Sequence, residues 1–327
     1  MKEKIGIEDR IYGKEEIKDK VLIDLINSES IQRLKDISQL GMAKEYSHVG
    51  WFSRFEHSLG TMILLNRLNA SLDEQIAGLI HDSNHTTFSH VIDWVLGDPT
   101  KEDHQDKTYE SFIKNSEISE ILEKHSFNCD FILNYKNFRL LERELPSLCV
   151  DRIDYCLREM SMIKEKSSLV KKIINDLSVK DNQIVFKNKE IAELFGKEYS
   201  ERQKLNWGSD QTRAGYVILA NILRNALDKK IINLDDFKGT ETPLLNKLYL
   251  SKDKFILNNL NLLKKGFTTE EDDGGIELKT KFRYIDPEVS LNGFYKKLSE
   301  ISEDYLKIIK TEKKTSTIFK KVRIISN

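Results

Sequence analysis

The spacing of apolar residues predicts helices over most of this chain. Residues 169–177 (LVKKIINDL) and 245–263 (LNKLYLSKDKFILNNLNLL) carry apolar side chains at intervals of three and four. That spacing puts the apolar side chains on one face of an α-helix. Only four prolines and 15 glycines interrupt the 327 residues. We therefore expect a mainly α fold.

A few short segments depart from this helical spacing. An apolar trio between polar turn residues predicts a hairpin near residues 182–189 (NQIVFKNK). Residues 268–278 (TTEEDDGGIEL) indicate a loop, and the following residues 279–285 (KTKFRYI) indicate a strand. We predict a helical core over residues 1–235, with a smaller C-terminal α/β elaboration over residues 236–327 packed on it.

Composition places the chain among soluble globular proteins. Hydrophobic residues make up 39% and charged residues 32%, and the net charge of −1 gives no overall electrostatic reason to expect nucleic-acid binding. No stretch approaches the roughly 18 apolar residues of a membrane helix, and the N-terminal segment lacks the apolar run of a signal peptide. The three cysteines have no paired spacing, which predicts reduced thiols and a cytoplasmic location.

The histidines are concentrated in one part of the sequence. Six of the seven fall between residues 48 and 104: His48, His57, His81, His85, His90 and His104. Their centre is the segment LIHDSNHTTFSH, residues 79–90. A shared metal or phosphate site is the simplest explanation for such a cluster.

Four residues are candidate metal ligands. His81 and Asp82 lie near the end of an amphipathic helical segment, and His57 lies near the start of another. Asp151 shares a helical face with Tyr155, four residues on. Two nitrogens and two oxygens suit an octahedral Mn²⁺, Fe²⁺, Ni²⁺ or Mg²⁺ with positions open for water, which indicates catalysis. We predict one divalent ion bound by His57, His81, Asp82 and Asp151.

The ligand pattern resembles that of the HD superfamily of metal-dependent phosphohydrolases. Five segments are similar to the deoxynucleoside triphosphate (dNTP) triphosphohydrolases, which include bacterial dGTPases and the sterile-alpha-motif and HD-domain proteins. They are SIQRLKDISQLG, RFEHSLG, HDSNHTTFSH, DRIDY and FRYIDPEV. The resemblance extends from residue 5 to about residue 310. It implies an HD-domain helical core that cleaves dNTPs to a deoxynucleoside and inorganic triphosphate.

The resemblance also implies three catalytic histidines. His85 and His90 match histidines beside the scissile bond, and His104 matches a histidine that works with a neighbouring acid. Gln105 stands where that acid is expected. His90 or His104 would protonate the leaving 5′-oxygen.

Five further residues match substrate-binding positions of these enzymes. Gln39 and Arg54 correspond to residues that hold the sugar and the α-phosphate. Arg152 corresponds to a triphosphate-binding residue, and Tyr155 to a tyrosine that packs on the sugar. Glu159 stands where an aspartate reads the sugar 3′-hydroxyl.

The predicted partners are a nucleotide substrate, most simply a dNTP, a nucleotide activator and further copies of the chain in a homo-oligomer. The departures at Gln105 and Glu159 leave other functions open. These are an HD-type nucleotide phosphatase, a phosphodiesterase or a nuclease, then a di-iron oxygenase, and finally a nucleotide sensor without turnover.

Overall fold

A computed structural model describes residues 4–99, 101–279, 282–291, 293–315 and 319–326. Helices account for 57% of the chain, which confirms the mainly α fold. Their bounds are α1 Lys20–Ile26, α2 Glu29–Gln32, α3 Arg54–Arg67, α4 Leu72–Ile80, α5 Val91–Leu96, α6 His104–Lys114, α7 Glu117–Lys124, α8 Cys129–Leu133, α9 Val150–Ser161, α10 Ser167–Asp176, α11 Lys189–Arg202, α12 Asp210–Asp228, α13 Glu241–Leu250, α14 Lys254–Lys265, α15 Leu298–Ile301 and α16 Glu303–Thr315.

The strands in the described part of the chain form three small sheets. Their bounds are β1 Ile5–Asp9, β2 Gly13–Ile17, β3 Leu177–Lys180, β4 Gln183–Phe186, β5 Phe267–Lys279, β6 Glu288–Leu291, β7 Phe294–Lys297 and β8 Phe319–Ser326. Strands β1 and β2 pair as an antiparallel hairpin, and β5 pairs with β8. The order β3-β4-β6-β7 makes the third sheet, in which only β4 and β6 run parallel.

A serine side chain caps the N-terminus of each of helices α3 and α4. Ser53 and Glu56 form a reciprocal capping box at the start of α3, and the Ser71 hydroxyl accepts the Glu74 backbone N–H at the start of α4. His57 therefore lies in the first turn of α3, and His81 caps the C-terminal end of α4. Both positions were expected from the sequence.

Two hydrophobic clusters make up the core. The larger unites α3, α4 and α9 with the helices and strands around them, and Leu141 belongs to it. The second joins α5 and α12 to α13, α14 and the β5–β8 pair, and Tyr216 belongs to it. Because Leu141 and Tyr216 both line one cavity, that cavity lies where the two clusters meet. The boundary expected near residue 235 stays a prediction.

Two expectations for the C-terminal part are wrong. Residues 268–278 are part of strand β5 and not a loop, because their backbone pairs with β8; a bulge takes up the Asp-Asp-Gly-Gly run between Glu271 and Ile276. Residues 282–285 form no strand, because their backbone pairs with no strand in the described part of the chain; the Arg283 side chain forms an ion pair with Glu102. Residues 280 and 281 lie outside the described part of the chain.

The expected hairpin is present, shifted a few residues toward the N-terminus. It is formed by β3 and β4. Asp181 and Asn182, the two turn residues, have φ values of 50° and 55°. This is the geometry of a two-residue hairpin turn, in which short polar side chains are well tolerated.

Candidate metal centre and active site

Helices α3, α4 and α9 bring the predicted ligands together. Atoms of His57, His81 and Asp151 all lie within 4.8 Å of one another. His57 Nε2 lies 3.0 Å from Asp151 Oδ1 and 3.7 Å from Asp82 Oδ2. His81 Nε2 is 3.6 Å from both Asp82 Oδ1 and Asp151 Oδ1. The four residues therefore converge on one small volume.

The donor set fits a divalent cation. His81 Nδ1 donates to the Gly78 carbonyl at 2.7 Å, which leaves the Nε2 lone pair free. That Nε2 is buried and has no hydrogen-bond partner among the described residues. It faces the carboxylates of Asp82 and Asp151. A buried nitrogen lone pair that faces two carboxylates is electrostatically unfavourable without a hydrogen-bond donor. The same three groups can together coordinate a divalent ion.

The same carboxylates raise the pKa of both histidines. Burial opposes a charged His57, but Asp151 and Asp154 outweigh it and raise the pKa of His57 to about 9. The pKa of His81 is raised as well, against its burial, with Asp82 the main cause. Protons and a metal ion therefore compete for these imidazoles, and metal binding should release protons.

A buried network behind His57 was not found from the sequence. Asp154 Oδ2 lies 2.7 Å from His57 Nδ1 and accepts the Arg158 Nε–H at 2.8 Å. Its other oxygen accepts the Tyr12 hydroxyl at 2.9 Å, and Arg158 also pairs with Asp9 at 2.8 Å. This network sets the His57 tautomer and ring orientation, the usual task of a carboxylate behind a metal-binding histidine. The feature of the sequence that could have revealed this network is the spacing of Asp151, Asp154 and Arg158, three and four residues apart on α9.

Asp82 is held from three sides. Arg54 pairs with Asp82 Oδ2, His85 Nε2 lies 3.3 Å from Oδ1, and the Gln105 amide donates to Oδ1 at 3.2 Å. Burial is the main cause that lowers the pKa of His85 to about 3, so its imidazole is neutral. His90 is adjacent, with ring centroids 5.2 Å apart, and burial lowers its pKa to about 4.

A cavity of about 440 Å³ opens beside the cluster, within the range of small-ligand sites. It is lined by all but one of the predicted catalytic and substrate-binding residues, together with residues that the sequence did not single out. The predicted ones are Gln39, Arg54, His85, His90, Arg152, Tyr155 and Glu159. His104 is the exception: it lines a separate small crevice with His85 and His90.

Arg152 and Gln39 present different chemistry to this cavity. Arg152 pairs with Glu142 at 2.8 Å and donates to Cys149 Sγ at 3.0 Å. Glu142, Cys149 and Asp151 also lie within 4.8 Å of one another, but the guanidinium of Arg152 already supplies a cation there. Gln39 Oε1 is buried and lacks a hydrogen-bond partner among the described residues, so it can accept from a ligand.

Glu159 is occupied by the residues after α11. The chain continues from α11 into a π-helical turn, Gln203–Trp207, and the Asn206 amide and Trp207 indole both donate to the Glu159 carboxylate. Burial raises the pKa of Glu159 to about 7. Trp207 also packs edge-on against Tyr155, with ring centroids 5.0 Å apart. A π-turn of this kind is rare and is often found at functional sites.

Two further arginines enter the cavity from distant parts of the chain. Arg213 comes from α12 and Arg283 from the segment after β5, and both pair with the buried carboxylate of Glu102. Glu102 has a φ of 50°, a conformation that residues other than glycine seldom adopt. Two guanidiniums share one carboxylate, so this wall of the cavity keeps a net positive charge. Neither arginine was predicted as a site residue, although Arg283 lies in the FRYIDPEV segment.

Comparison with known proteins agrees with this geometry. The HD domain family profile matches residues 54–159, from the start of α3 to Glu159. A phosphohydrolase from Bacteroides thetaiotaomicron has the same fold, with a TM-score of 0.69 at 17% identity over 99% of this chain and 100% of that one. No helix in the described part of the chain is long and apolar enough to cross a membrane.

Three relatives cover different shares of the chain. The uncharacterized protein YdhJ of Bacillus subtilis is 35% identical over 92% of this chain and 94% of its own length. The metal-dependent phosphohydrolase cns2 of Cordyceps militaris is 29% identical over 87% and 85%. The deoxynucleoside triphosphate triphosphohydrolase SAMHD1 homolog of Dictyostelium discoideum is 30% identical over 58% and 42%. The chain belongs to the HD-domain family and is a metal-dependent phosphohydrolase of that family.

Proposed function

We propose that this phosphohydrolase cleaves dNTPs to a deoxynucleoside and inorganic triphosphate. The observation that carries the proposal is a single cavity that joins the His/Asp cluster to the arginines Arg152, Arg213 and Arg283. Planar guanidiniums bind phosphate oxygens in pairs and so suit a polyphosphate chain. The relative from Dictyostelium discoideum is named for this reaction, although it matches only part of this chain.

A divalent ion held by His57, His81, Asp82 and Asp151 would polarise a phosphoryl oxygen and lower the pKa of a bound water. The chain's own residues do the rest. Arg54, already directed at Asp82, can offset charge on the α-phosphate.

His90 is the residue best placed to protonate the leaving oxygen. It lines the cavity, and its imidazole is neutral in the free protein because burial lowers its pKa to about 4. Approach of a triphosphate adds negative charge and shifts this pKa upward, toward the working pH. A proton donor works best when its pKa is near that pH. Gln39 Oε1 is free to accept a sugar hydroxyl.

The test is phosphorus NMR of the purified protein with each dNTP and NTP, in Mn²⁺ or Mg²⁺. One-step release of inorganic triphosphate, absent in His81→Ala and Asp82→Ala, supports the proposal. Arg323→Ala is a matched control, since Arg323 is exposed and pairs with Glu270 on the β5–β8 ribbon. No turnover of any nucleotide by metal-loaded protein would contradict it and favour a sensor.

A nucleotide phosphatase is the second candidate, and Glu159 is the observation that favours it. Each Glu159 oxygen already accepts from Asn206 or Trp207, so the carboxylate has less capacity left to read a sugar hydroxyl. The relative cns2, matched over most of its length, is named only as a metal-dependent phosphohydrolase. Release of orthophosphate instead of inorganic triphosphate in the NMR experiment would support the nucleotide phosphatase.

The remaining proposals concern the surroundings of the enzyme. We propose one Mn²⁺, Fe²⁺, Ni²⁺ or Mg²⁺ per site, a homo-oligomer, a nucleotide activator and a cytoplasmic location, in keeping with three free cysteines. Metal analysis of the purified protein tests the identity and number of bound ions. Light scattering with and without added nucleotides tests the homo-oligomer and the nucleotide activator.

A further inference from the structure

Residues 237–241, just before and at the start of α13, contact the segment that carries the histidines. We call residues 82–90 the HD loop. The Thr87 N–H donates to the Phe237 carbonyl at 2.9 Å. The Arg33 guanidinium joins the two segments, since it donates to the Gly239 carbonyl and to the carbonyls of Ser83 and His85, each at 2.8 Å.

Glu241 makes the closest polar contacts of these residues. Its side chain is buried, and it forms no ion pair among the described residues. It accepts the Ser38 N–H and the Ser38 hydroxyl, both at 2.7 Å, and the Phe88 N–H of the HD loop at 3.3 Å. A buried carboxylate without a cation is costly, so such a residue calls for a specific reason.

A chain of hydrogen bonds runs from Ser38 to a metal ligand. The Ser89 hydroxyl donates to the Ser38 carbonyl at 2.7 Å and accepts the Arg54 Nε–H at 2.7 Å. Arg54 in turn pairs with Asp82. Ser38, Ser89 and Arg54 are all at most 2% exposed, so these bonds are shielded from bulk water.

The backbone of the HD loop needs such support. Phe88 and Ser89 have φ values of 60° and 48°. Residues with a side chain hold this conformation only where their surroundings enforce it. Glu241 binds the N–H of Phe88 and, through Ser38, the hydroxyl of Ser89.

We propose that Glu241 is a positioning residue of the metal centre. By holding Ser38 and Phe88, it fixes the HD loop and directs Arg54 at Asp82, although it touches no ligand itself. The part of the chain that follows α12 therefore completes the catalytic centre built by α3, α4 and α9. This inference goes beyond the proposed function, because it applies to whichever phosphoester the enzyme cleaves.

The experiment compares Glu241→Ala with a matched control, Asp286→Ala. Asp286 is also buried and also accepts the N–H and the hydroxyl of one serine, Ser299, at 2.9 and 2.6 Å, but this serine lies in α15 and not next to the HD loop. The readouts are the Kd for Mn²⁺ by calorimetry, and kcat and KM on bis(p-nitrophenyl) phosphate. The Mn²⁺ titration does not depend on dNTPs being substrates.

We expect Glu241→Ala to weaken Mn²⁺ binding or lower kcat by about tenfold, with KM little changed. This is the size of effect typical of residues that orient metal ligands without binding the ion. Glu241→Gln should restore part of the loss, because its amide oxygen still accepts the Ser38 N–H. Asp286→Ala should lower only the Tm. Equal Mn²⁺ Kd and kcat in the two alanine variants would overturn the proposal.

Ser89→Ala keeps the proposal testable if Glu241→Ala does not fold. It removes only the hydroxyl between the Ser38 carbonyl and Arg54. A similar loss of Mn²⁺ affinity or kcat is expected. Wild-type values for both in folded Ser89→Ala would overturn the proposal.

Discussion

His57 Nδ1 lies 2.7 Å from the Asp154 carboxylate, while its Nε2 faces Asp151 across 3.0 Å. The two ring nitrogens thus have separate tasks. Asp154 accepts the proton of one, and the other is directed at the metal cluster. The orientation of this imidazole depends on a residue that is not itself a ligand.

Asp154→Asn should weaken metal binding. The amide can still contact His57, but the charge that favours the correct tautomer is lost, and affinity for Mn²⁺ should fall by roughly 10- to 100-fold. Calorimetric titration measures this, with folding checked by circular dichroism. Asp176→Asn is the control, because Asp176 is also buried but accepts from Asn188, away from the cluster. An unchanged Kd would show that Asp154 serves only Arg158 and Tyr12.

The histidines beside the cluster should differ in their effect on turnover. His90 lines the cavity, so His90→Ala should lower kcat by roughly 10²-fold or more, the usual range for loss of a proton donor. His104 lies in the neighbouring crevice, so His104→Ala should have a much smaller effect. Single-turnover rates on the substrate identified by NMR measure both. The reverse order would make His104 the donor and would require α6 to move.

Arg283→Ala should weaken binding of polyphosphates. Arg283 and Arg213 share Glu102, so loss of one arginine leaves that carboxylate only one partner and removes the net positive charge. The Ki of inorganic tripolyphosphate should rise about tenfold, the worth of one hydrogen bond to a charged group. Inhibition by a free nucleoside should not change. An effect of the same size in exposed Arg323→Ala would point to general electrostatics instead.

Glu159 should make the free energy of unfolding depend on pH, and a single substitution can isolate its contribution. Burial raises the pKa of Glu159 from 4.5 to about 7, so the folded state holds a proton that the unfolded state has lost between these values. The stability from this group is complete below pH 4.5 and declines as the pH rises through 7. Relative to Glu159→Gln, which cannot ionise, the wild type should lose up to about 3 kcal/mol between pH 4.5 and 8.

Urea unfolding of the wild type and Glu159→Gln across this pH range measures the difference. Any constant cost of the amide against Asn206 and Trp207 cancels in the comparison of slopes. Parallel curves would mean that Glu159 stays charged in the folded protein and that its two donors outweigh its burial.

The helix-end positions of His57 and of His81-Asp82 could be predicted from the sequence because the signals for them are local. His57 near a helix start and His81-Asp82 at a helix end follow from capping residues and apolar periodicity, and the structure places them accordingly. Asp154 was missed although it lies three residues after Asp151. Whether an acid on a buried helix faces a ligand or the solvent depends on its tertiary partners, here Tyr12 and Arg158.

The incorrect predictions for the C-terminal part of the chain have a related cause. The polar run at residues 268–278 has the composition of a turn, and only its pairing with β8 makes it a strand. Arg283 and Glu102 are 181 residues apart in the chain, so no local pattern could join them. Predictions failed where structure is decided by contacts between remote segments.

The metal centre draws on three helices, α3, α4 and α9, and 94 residues separate His57 from Asp151. An ion bound there would act as a tertiary cross-link across that span, and its binding free energy would become folding free energy. A chelator would then do more than stop turnover. It would remove this cross-link at the junction of the helices, so that the supply of metal would also govern how long the folded enzyme persists.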